Sequence, residues 1–229
     1  MKDINIKGIE DTLGIEFSNK GVLITALTHS SYANQFKDVK YNERLEFLGD
    51  SVLQLCITQH LFSSYKDKSE GELTKIRALI VCENSLYEVA KILNLGSFIR
   101  MSKGEESTGG RDRTSIQADC LEAVIAAIYL DKGLEVANDF IFKYFADIIK
   151  KAIKHEIILD FKTKLQEILQ KNGEVEIKYE LNRYEGPPHR RKFFTTVIID
   201  NKVMGDGYGY SKKESEQCAA KEALKMLGE

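Results

Sequence analysis

Three carboxylates, Glu43, Glu46 and Asp50, recur at helical spacing in the run Asn42-Glu43-Arg44-Leu45-Glu46-Phe47-Leu48-Gly49-Asp50-Ser51. At 100° per residue, Glu46 and Asp50 fall within about a sixth of a turn of Glu43, so all three project from one helix face. Like charges so placed repel one another. A bound divalent cation would relieve the repulsion and also perform chemistry.

A second acidic pair follows some seventy residues later in Ser115-Ile116-Gln117-Ala118-Asp119-Cys120-Leu121-Glu122-Ala123-Val124. Apart from Gln117, Asp119 and Glu122, every residue from 116 to 130 is apolar, and such a helix is buried on nearly all sides. Asp119 and Glu122 therefore belong in or beside the interior. A buried carboxylate either takes up a proton through a raised pKa or finds a cation. That cation is an arginine such as Arg44 or Arg77, or a metal ion. If the two acidic helices meet, their four carboxylates Glu46, Asp50, Asp119 and Glu122 form a cluster that an ion pair explains poorly and Mg²⁺ explains well. Phosphodiester hydrolysis is the leading reaction class for such a site, because the ion lowers the pKa of a bound water and offsets charge on a phosphoryl group.

The elements that must position these acids are helical. Apolar residues recur at three and four positions up to about residue 159, which predicts helices over 3–13, 20–28, 41–63, 69–93, 115–131 and 133–153. Gly133 reads as a helix stop. Gly49 lies inside the best helix, at a cost of about 1 kcal/mol relative to alanine. Its bare hydrogen permits close approach of another backbone or a ligand. Residues 104–113, with Gly109-Gly110 and mixed charges, read as the most loop-like segment.

After Asp160 the period changes. A short helix over 161–171 precedes strands over 177–184, 192–199 and 203–210, the last pair joined by the turn Asp200-Asn201, and a helix over 211–227 ends the chain. The expected architecture is two domains, an all-α domain over residues 1–155 and a small α+β domain of order α-β-β-β-α over 156–229. The change of period, rather than any glycine- or proline-rich linker, marks the boundary.

Composition narrows the setting. The 229 residues are 43% hydrophobic and 30% charged, and the apolar run through 124–130 is far too short to span a bilayer. Cys56, Cys82, Cys120 and Cys218 stand singly, without C-x-x-C or zinc-type spacing, and read as small core residues in a reducing compartment. The expectation is a cytoplasmic protein with no membrane segment and no organic cofactor. A net charge of −2 argues against a polyanionic partner only on average, because His189-Arg190-Arg191-Lys192 and Lys212-Lys213 concentrate cations in the C-terminal third.

Those cations have a geometry. Ser211-Lys212-Lys213-Glu214 opens the last helix with a capping-box pattern, and two lysines in a first turn oppose the helix dipole unless a phosphate sits there. The loop Glu185-Gly186-Pro187-Pro188-His189 is stiffened by both prolines of the chain and ends in a histidine. With a first helix carrying Thr163, Gln166 and Glu167, they form three points of contact suited to the minor grooves and intervening phosphates of A-form RNA. His29 and His60 read as structural, since nothing pairs them with a nucleophile.

The full chain resembles bacterial ribonuclease III. Residues 42–53, NERLEFLGDSVL, match the family signature almost letter for letter, and Leu27-Thr28-His29-Ser30-Ser31-Tyr32-Ala33-Asn34 and Gly109-Gly110-Arg111 resemble further family blocks. Asp160-Phe161-Lys162-Thr163-Lys164-Leu165-Gln166-Glu167 and SKKESEQCAAKEAL look like the family's double-stranded RNA-binding domain, with Phe161 where relatives often carry proline. The resemblance implies that Glu46, Asp50, Asp119 and Glu122 are catalytic Mg²⁺ ligands, with Mn²⁺ as a substitute and Glu122 the most direct ligand. It implies secondary active-site acids at Glu43 and Glu70, and RNA contacts at Thr163, Gln166, Glu167, His189, Lys212 and Lys213. It further implies a homodimer with residues 42–53 at or near its interface. The expected activity is cleavage of double-stranded RNA to 5′-phosphate and 3′-hydroxyl ends with short 3′ overhangs, in processing of ribosomal RNA precursors and other structured RNAs. The alternative is a protein that binds duplex RNA without cutting it, for which carboxylates turned toward a polyanion would have no use.

Overall fold

In a computed structural model of the chain, described over residues 5–36, 38–154, 157, 160–171, 175–187 and 191–228, the residues divide into two compact units, 1–157 and 158–229. The first is entirely helical, and the second packs helices on a three-stranded antiparallel sheet. Among the described residues, no helix is long and apolar enough to cross a membrane.

The N-terminal unit begins with α1 (Ile6–Leu13), α2 (Lys20–Ala26) and the single turn α3 (Ser30–Ala33). Then come α4 (Glu43–Ser64), α5 (Glu70–Ile80), α6 (Glu83–Ile92), α7 (Lys103–Ser107) and α8 (Thr114–Ile153). Helix α8 packs along α4, α6 and α2, and its residues Leu121, Val124, Ile125 and Ile128 are fully buried with Leu53 and Ile57 of α4. Each such side chain contributes about 1.5–3 kcal/mol, so this contact outweighs the roughly 3 kcal/mol by which two carboxylates about 5 Å apart repel at an effective dielectric near 20.

Two of these expectations change. The segment expected as one helix over 69–93 is two, because Cys82 is extended (φ −73°, ψ 156°) and the chain restarts at Glu83. Ser85 Oγ donates to Leu79 O across the break at 2.7 Å, replacing a lost helical bond with a side-chain bond. The segment expected as a loop over 104–113 holds α7 and a 3₁₀ turn at Gly110–Asp112, tied by the Arg111–Glu106 and Arg113–Glu105 ion pairs. Gly133 does interrupt α8, at φ 85° and ψ 177°, a region essentially closed to other residues. Of the cysteines, Cys56 and Cys120 are buried but Cys82 and Cys218 only partly so, and all four are free thiols.

The C-terminal unit runs α9 (Phe161–Gln170), β1 (Ile177–Glu185), β2 (Lys192–Ile199), β3 (Lys202–Gly209) and α10 (Lys212–Met226), with sheet order β1-β2-β3. Asp200 and Asn201 both take positive φ (47° and 64°), the requirement of a tight hairpin turn whose twist matches the strands. Leu165, Val197, Ala219 and Ala223 form the small core. Asp160 and Gln217 lock α9 to α10: Gln217 Oε1 accepts from Phe161 N at 2.7 Å while its Nε2 donates to Asp160 Oδ1 at 2.8 Å.

Candidate functional site

The acids of α4 and α8 meet because Gly49 lets the helices touch backbone to backbone. A Cβ at Gly49 would fall 2.5 Å from the carbonyl carbon of Glu122, and nearer still to its oxygen. Glu46 and Asp50 flank Gly49 on one helix, and the backbone it touches belongs to an acid of the other. Ligand oxygens of Glu46, Asp119 and Glu122 lie within 4.8 Å of one another, the one such group of three or more potential metal-ligating side chains among the described residues.

Electrostatics follow from that geometry. Burial, with Asp50, Glu46 and Asp119 nearby, pushes Glu122 up to about 8. Burial and the charges of Asp119, Glu43 and Asp50 raise Glu46. Asp119 is raised by burial and by Glu83 and Glu43, while His29 pulls it the other way. Neither Arg44 nor Arg77 appears among the ion pairs of these acids; Arg77 Nη1 donates instead to Thr58 Oγ1 at 3.0 Å. Among the described residues, no arginine pairs with Asp119 or Glu122. A cluster of three carboxylates, each biased toward its proton, has the donor set and charge that suit a small hard divalent cation.

Asp50 stands beside this trio rather than within it. Gln54, one turn further along α4, donates from Nε2 to both Asp50 oxygens at 2.8 and 2.9 Å. Glu43 is exposed at the start of α4 and reaches the cluster through its charge. Glu70 is exposed in the first turn of α5, where its Oε1 accepts from Thr74 Oγ1 at 3.0 Å, and it is not among the acids that act on the cluster.

Sequence reasoning missed Gln54, Glu83 and the placement of His29. Gln54 had a signal, its i+4 spacing from Asp50. Nothing in the spacing of Glu83 or His29 points to Asp119. His29 is built into the frame: its Nδ1 accepts from Ser31 N at 3.2 Å and pairs with Ser31 Oγ at 2.8 Å, and that hydroxyl in turn accepts from Ser102 N at 3.1 Å.

In the C-terminal unit, Thr163, Gln166, Glu167, Lys212 and Lys213 are all exposed, and His189 lies outside the described residues. Thr163, Gln166 and Lys213 line one polar groove of about 690 Å³ together with Lys162 and Gln170. Asp160 caps α9 through Thr163 N at 3.0 Å and accepts Thr163 Oγ1 at 2.9 Å; the bond from Gln217 above all, with those from Thr163, holds its carboxyl down at about 2. The capping box at α10 is only half formed as expected. Ser211 Oγ accepts from Glu214 N at 3.1 Å, but Glu214 reaches back past Ser211 to Tyr210 N at 2.6 Å. Lys212 and Lys213 project from the first turn beside these caps, where a phosphate would gain from both ammonium groups and the helix end.

Comparison with known proteins places both units. Residues 19–149 match the Ribonuclease-III-like family and residues 161–227 the double-stranded RNA binding motif. The chain is 76% identical over its whole length to Ribonuclease 3 of Clostridium perfringens, covering 97% of that protein. It is 70% identical to Ribonuclease 3 of Clostridium beijerinckii, over 99% of this chain and 98% of the relative. Among solved structures, the nuclease domain of ribonuclease III from Campylobacter jejuni is similar at 46% identity and a TM-score of 0.58, over 64% of this chain and 96% of that one.

Proposed function

This chain belongs to the ribonuclease III family, and on that premise we propose that Glu46, Asp50, Asp119 and Glu122 form its active site for hydrolysis of double-stranded RNA. The observation that carries the site assignment is the convergence of Glu46, Asp119 and Glu122 within 4.8 Å, with no lysine or arginine paired to them among the described residues. Glu122, Glu46 and Asp119 would hold Mg²⁺, or Mn²⁺ in its place, with Asp50 fixed beside them by Gln54. Bound there, the ion supplies a water of lowered pKa and offsets the charge that builds on the phosphoryl group.

The protein's own groups do the rest. Glu122, whose carboxyl burial biases toward its proton, would hold the ion as the carboxylate together with Glu46 and Asp119, its proton passing to solvent. Asp50, its two oxygens tethered, keeps a fixed orientation toward the attacking water. The water attacks phosphorus in line and the 3′-oxygen leaves, giving 5′-phosphate and 3′-hydroxyl ends. Thr163, Gln166, Glu167, His189, Lys212 and Lys213 hold the duplex by its shape and phosphates.

The active form is a homodimer whose two sites cut opposite strands and leave short 3′ overhangs. Phe47, 79% exposed, with Leu55 and Phe62, makes an uncovered apolar stripe on α4, which supports placing residues 42–53 at the subunit contact. The Campylobacter jejuni nuclease domain has a region involved in dimer formation, and that region is structurally flexible. Four free thiols accord with work in the cytoplasm on ribosomal RNA precursors and other structured transcripts. Glu43, through its charge on Glu46 and Asp119, and Glu70 are secondary acids of the active site. Of the two units, the first serves catalysis and dimerisation and the second duplex binding.

The nuclease family match favours cleavage over mere binding. The test is incubation of a long RNA duplex with Mg²⁺ for the wild type and Glu122→Gln. Cleavage by the wild type alone, with binding kept by both, is the expected result; cleavage by both refutes the role of Glu122, and by neither refutes the activity.

A further inference from the structure

The sheet of the C-terminal unit has one face covered by helices and one left open. Gly205, Gly207 and Gly209 alternate along β3 on the covered face, where a Cβ at each would collide with α10. Thr195 and Val197 share that face, Thr195 Oγ1 bonding Ser215 Oγ of α10 at 2.7 Å and Val197 lying fully buried. The residues between them point the other way.

On that open face Arg183, Phe194 and Tyr208 are direct cross-strand neighbours, one from each strand. The Arg183 guanidinium lies 4.2 Å from the Phe194 ring centroid, the Lys192 ammonium lies 3.7 Å from that of Tyr208, and the two rings are 6.3 Å apart. Tyr208 is 57% exposed and Tyr210, next along the strand, 59%. Glu185 binds one edge of Arg183 at 2.9 Å and so holds it in place without covering its plane. Cross-strand packing by itself favours such pairs, but it does not call for a ring as exposed as that of Tyr208.

Exposed rings, a guanidinium plane and neighbouring cations are what unpaired bases and their phosphates recognise, with little regard for sequence. A rigid duplex offers no free base faces, and the duplex-contacting candidates Thr163, Gln166 and Lys213 lie on the helical side. We infer that the open sheet face binds single-stranded RNA, stacking bases on Tyr208 and on the Arg183–Phe194 pair while Lys192 meets the backbone. This rests on the reading of the chain as a duplex-RNA enzyme and extends it to the unpaired strands that flank a duplex.

The experiment uses the full-length chain in EDTA and measures fluorescence anisotropy with a blunt duplex and with the same duplex carrying an unpaired extension of about six nucleotides, within the span one small domain accommodates. The wild type should bind the extended duplex at least about fivefold more tightly, the gain expected from one stacked base. Tyr208→Ala should abolish that gain and leave blunt-duplex affinity unchanged. Equal affinity of the wild type for both RNAs overturns the inference, as does a gain that survives in Tyr208→Ala/Phe194→Leu. If circular dichroism finds these variants unfolded, Arg183→Ser/Lys192→Ser carries the same comparison. A change in sedimentation alone, without loss of the gain, assigns the face to a protein contact and also overturns it. Blunt-duplex affinity reports on the duplex reading and the ratio reports on the inference, so the two fail separately.

Discussion

Gly49→Ala probes the contact on which the acidic cluster depends. An alanine Cβ would sit 2.5 Å from the Glu122 carbonyl carbon, against the 3.0 Å below which real Cβ atoms are essentially never found, and the carbonyl oxygen is closer still. The obstacle is backbone of a helix whose neighbouring residues are fully buried, so no side chain can rotate out of the way. The helices must part by at least about 0.5 Å at the carbon and by more at the oxygen. Alanine returns about 1 kcal/mol of helix propensity, while forced overpacking costs about 1–3 kcal/mol or more, so the net effect is destabilising.

The catalytic effect should exceed the structural one. Glu46 and Asp50 ride on the displaced helix while Asp119 and Glu122 stay with α8, and misplacement on the order of 1 Å costs about 10²-fold in rate. Initial cleavage rates on duplex RNA across a Mg²⁺ titration, with thermal unfolding measured in parallel, read both effects. Gly71→Ala in α5 is the matched control, because a Cβ there meets nothing within 4 Å, and it should leave the rate unchanged and raise stability by up to about 1 kcal/mol through helix propensity alone. A Gly49→Ala protein with wild-type rate and midpoint would refute the claim that this close approach sets the site.

Other outcomes follow from the same structure. Glu122 is raised from 4.5 to about 8, so between those values the folded state binds more protons than the unfolded one; metal-free stability should fall as pH rises from about 4.5 to about 8 and then level, and Glu122→Gln should melt higher than wild type at pH 8 in EDTA, seen by calorimetry. A wild type whose metal-free midpoint rises across that window would contradict the burial of this acid. Phe47→Asp should yield a monomer by sedimentation with a folded nuclease unit, since the side chain is 79% exposed on α4; an unchanged dimer removes α4 from the interface. Lys213→Ala should weaken duplex binding and lower the slope of log affinity against log salt by about 1, with a salt titration as the check and an unaltered slope as the contrary result. Gly133→Ala should cost about 1–3 kcal/mol in thermal unfolding, since φ 85° with ψ 177° suits glycine alone, while metal dependence stays as it was.

Local pattern carried much of this fold and stopped at particular places. The two acidic helices were legible because apolar residues at helical spacing define their buried faces, and Gly133 was legible as a break because glycine is the usual residue at such an angle. The break between α5 and α6 was not, because Val81 and Cys82 include no glycine or proline and the bond from Ser85 to Leu79 that replaces the helical one is tertiary in character. Likewise, the bond from Glu214 to Tyr210 instead of Ser211 depends on how β3 enters α10. At the site, spacing put acids on one face of each helix, but only packing decides that Glu46 meets Asp119 and Glu122 while Asp50 turns to Gln54. The effect of Glu83 on Asp119 has no sequence signal, since it arises from α6 lying across α8.

Gly49 and Glu122 also explain why a self-repelling cluster persists without a partner cation. The apolar contact of α4 with α8 brings the acids together, and the raised Glu122 relieves their mutual repulsion by taking up a proton rather than by separating the helices. On the proposed reading, cation and proton would compete for this one group, which would tie cleavage to pH while the scaffold stays put. A larger residue at 49 would relieve the repulsion by distance and lose the cation. An arginine beside Asp119 would relieve it by pairing and exclude the cation. The glycine contact keeps the acids close, and the lack of an arginine partner among the described residues keeps them available.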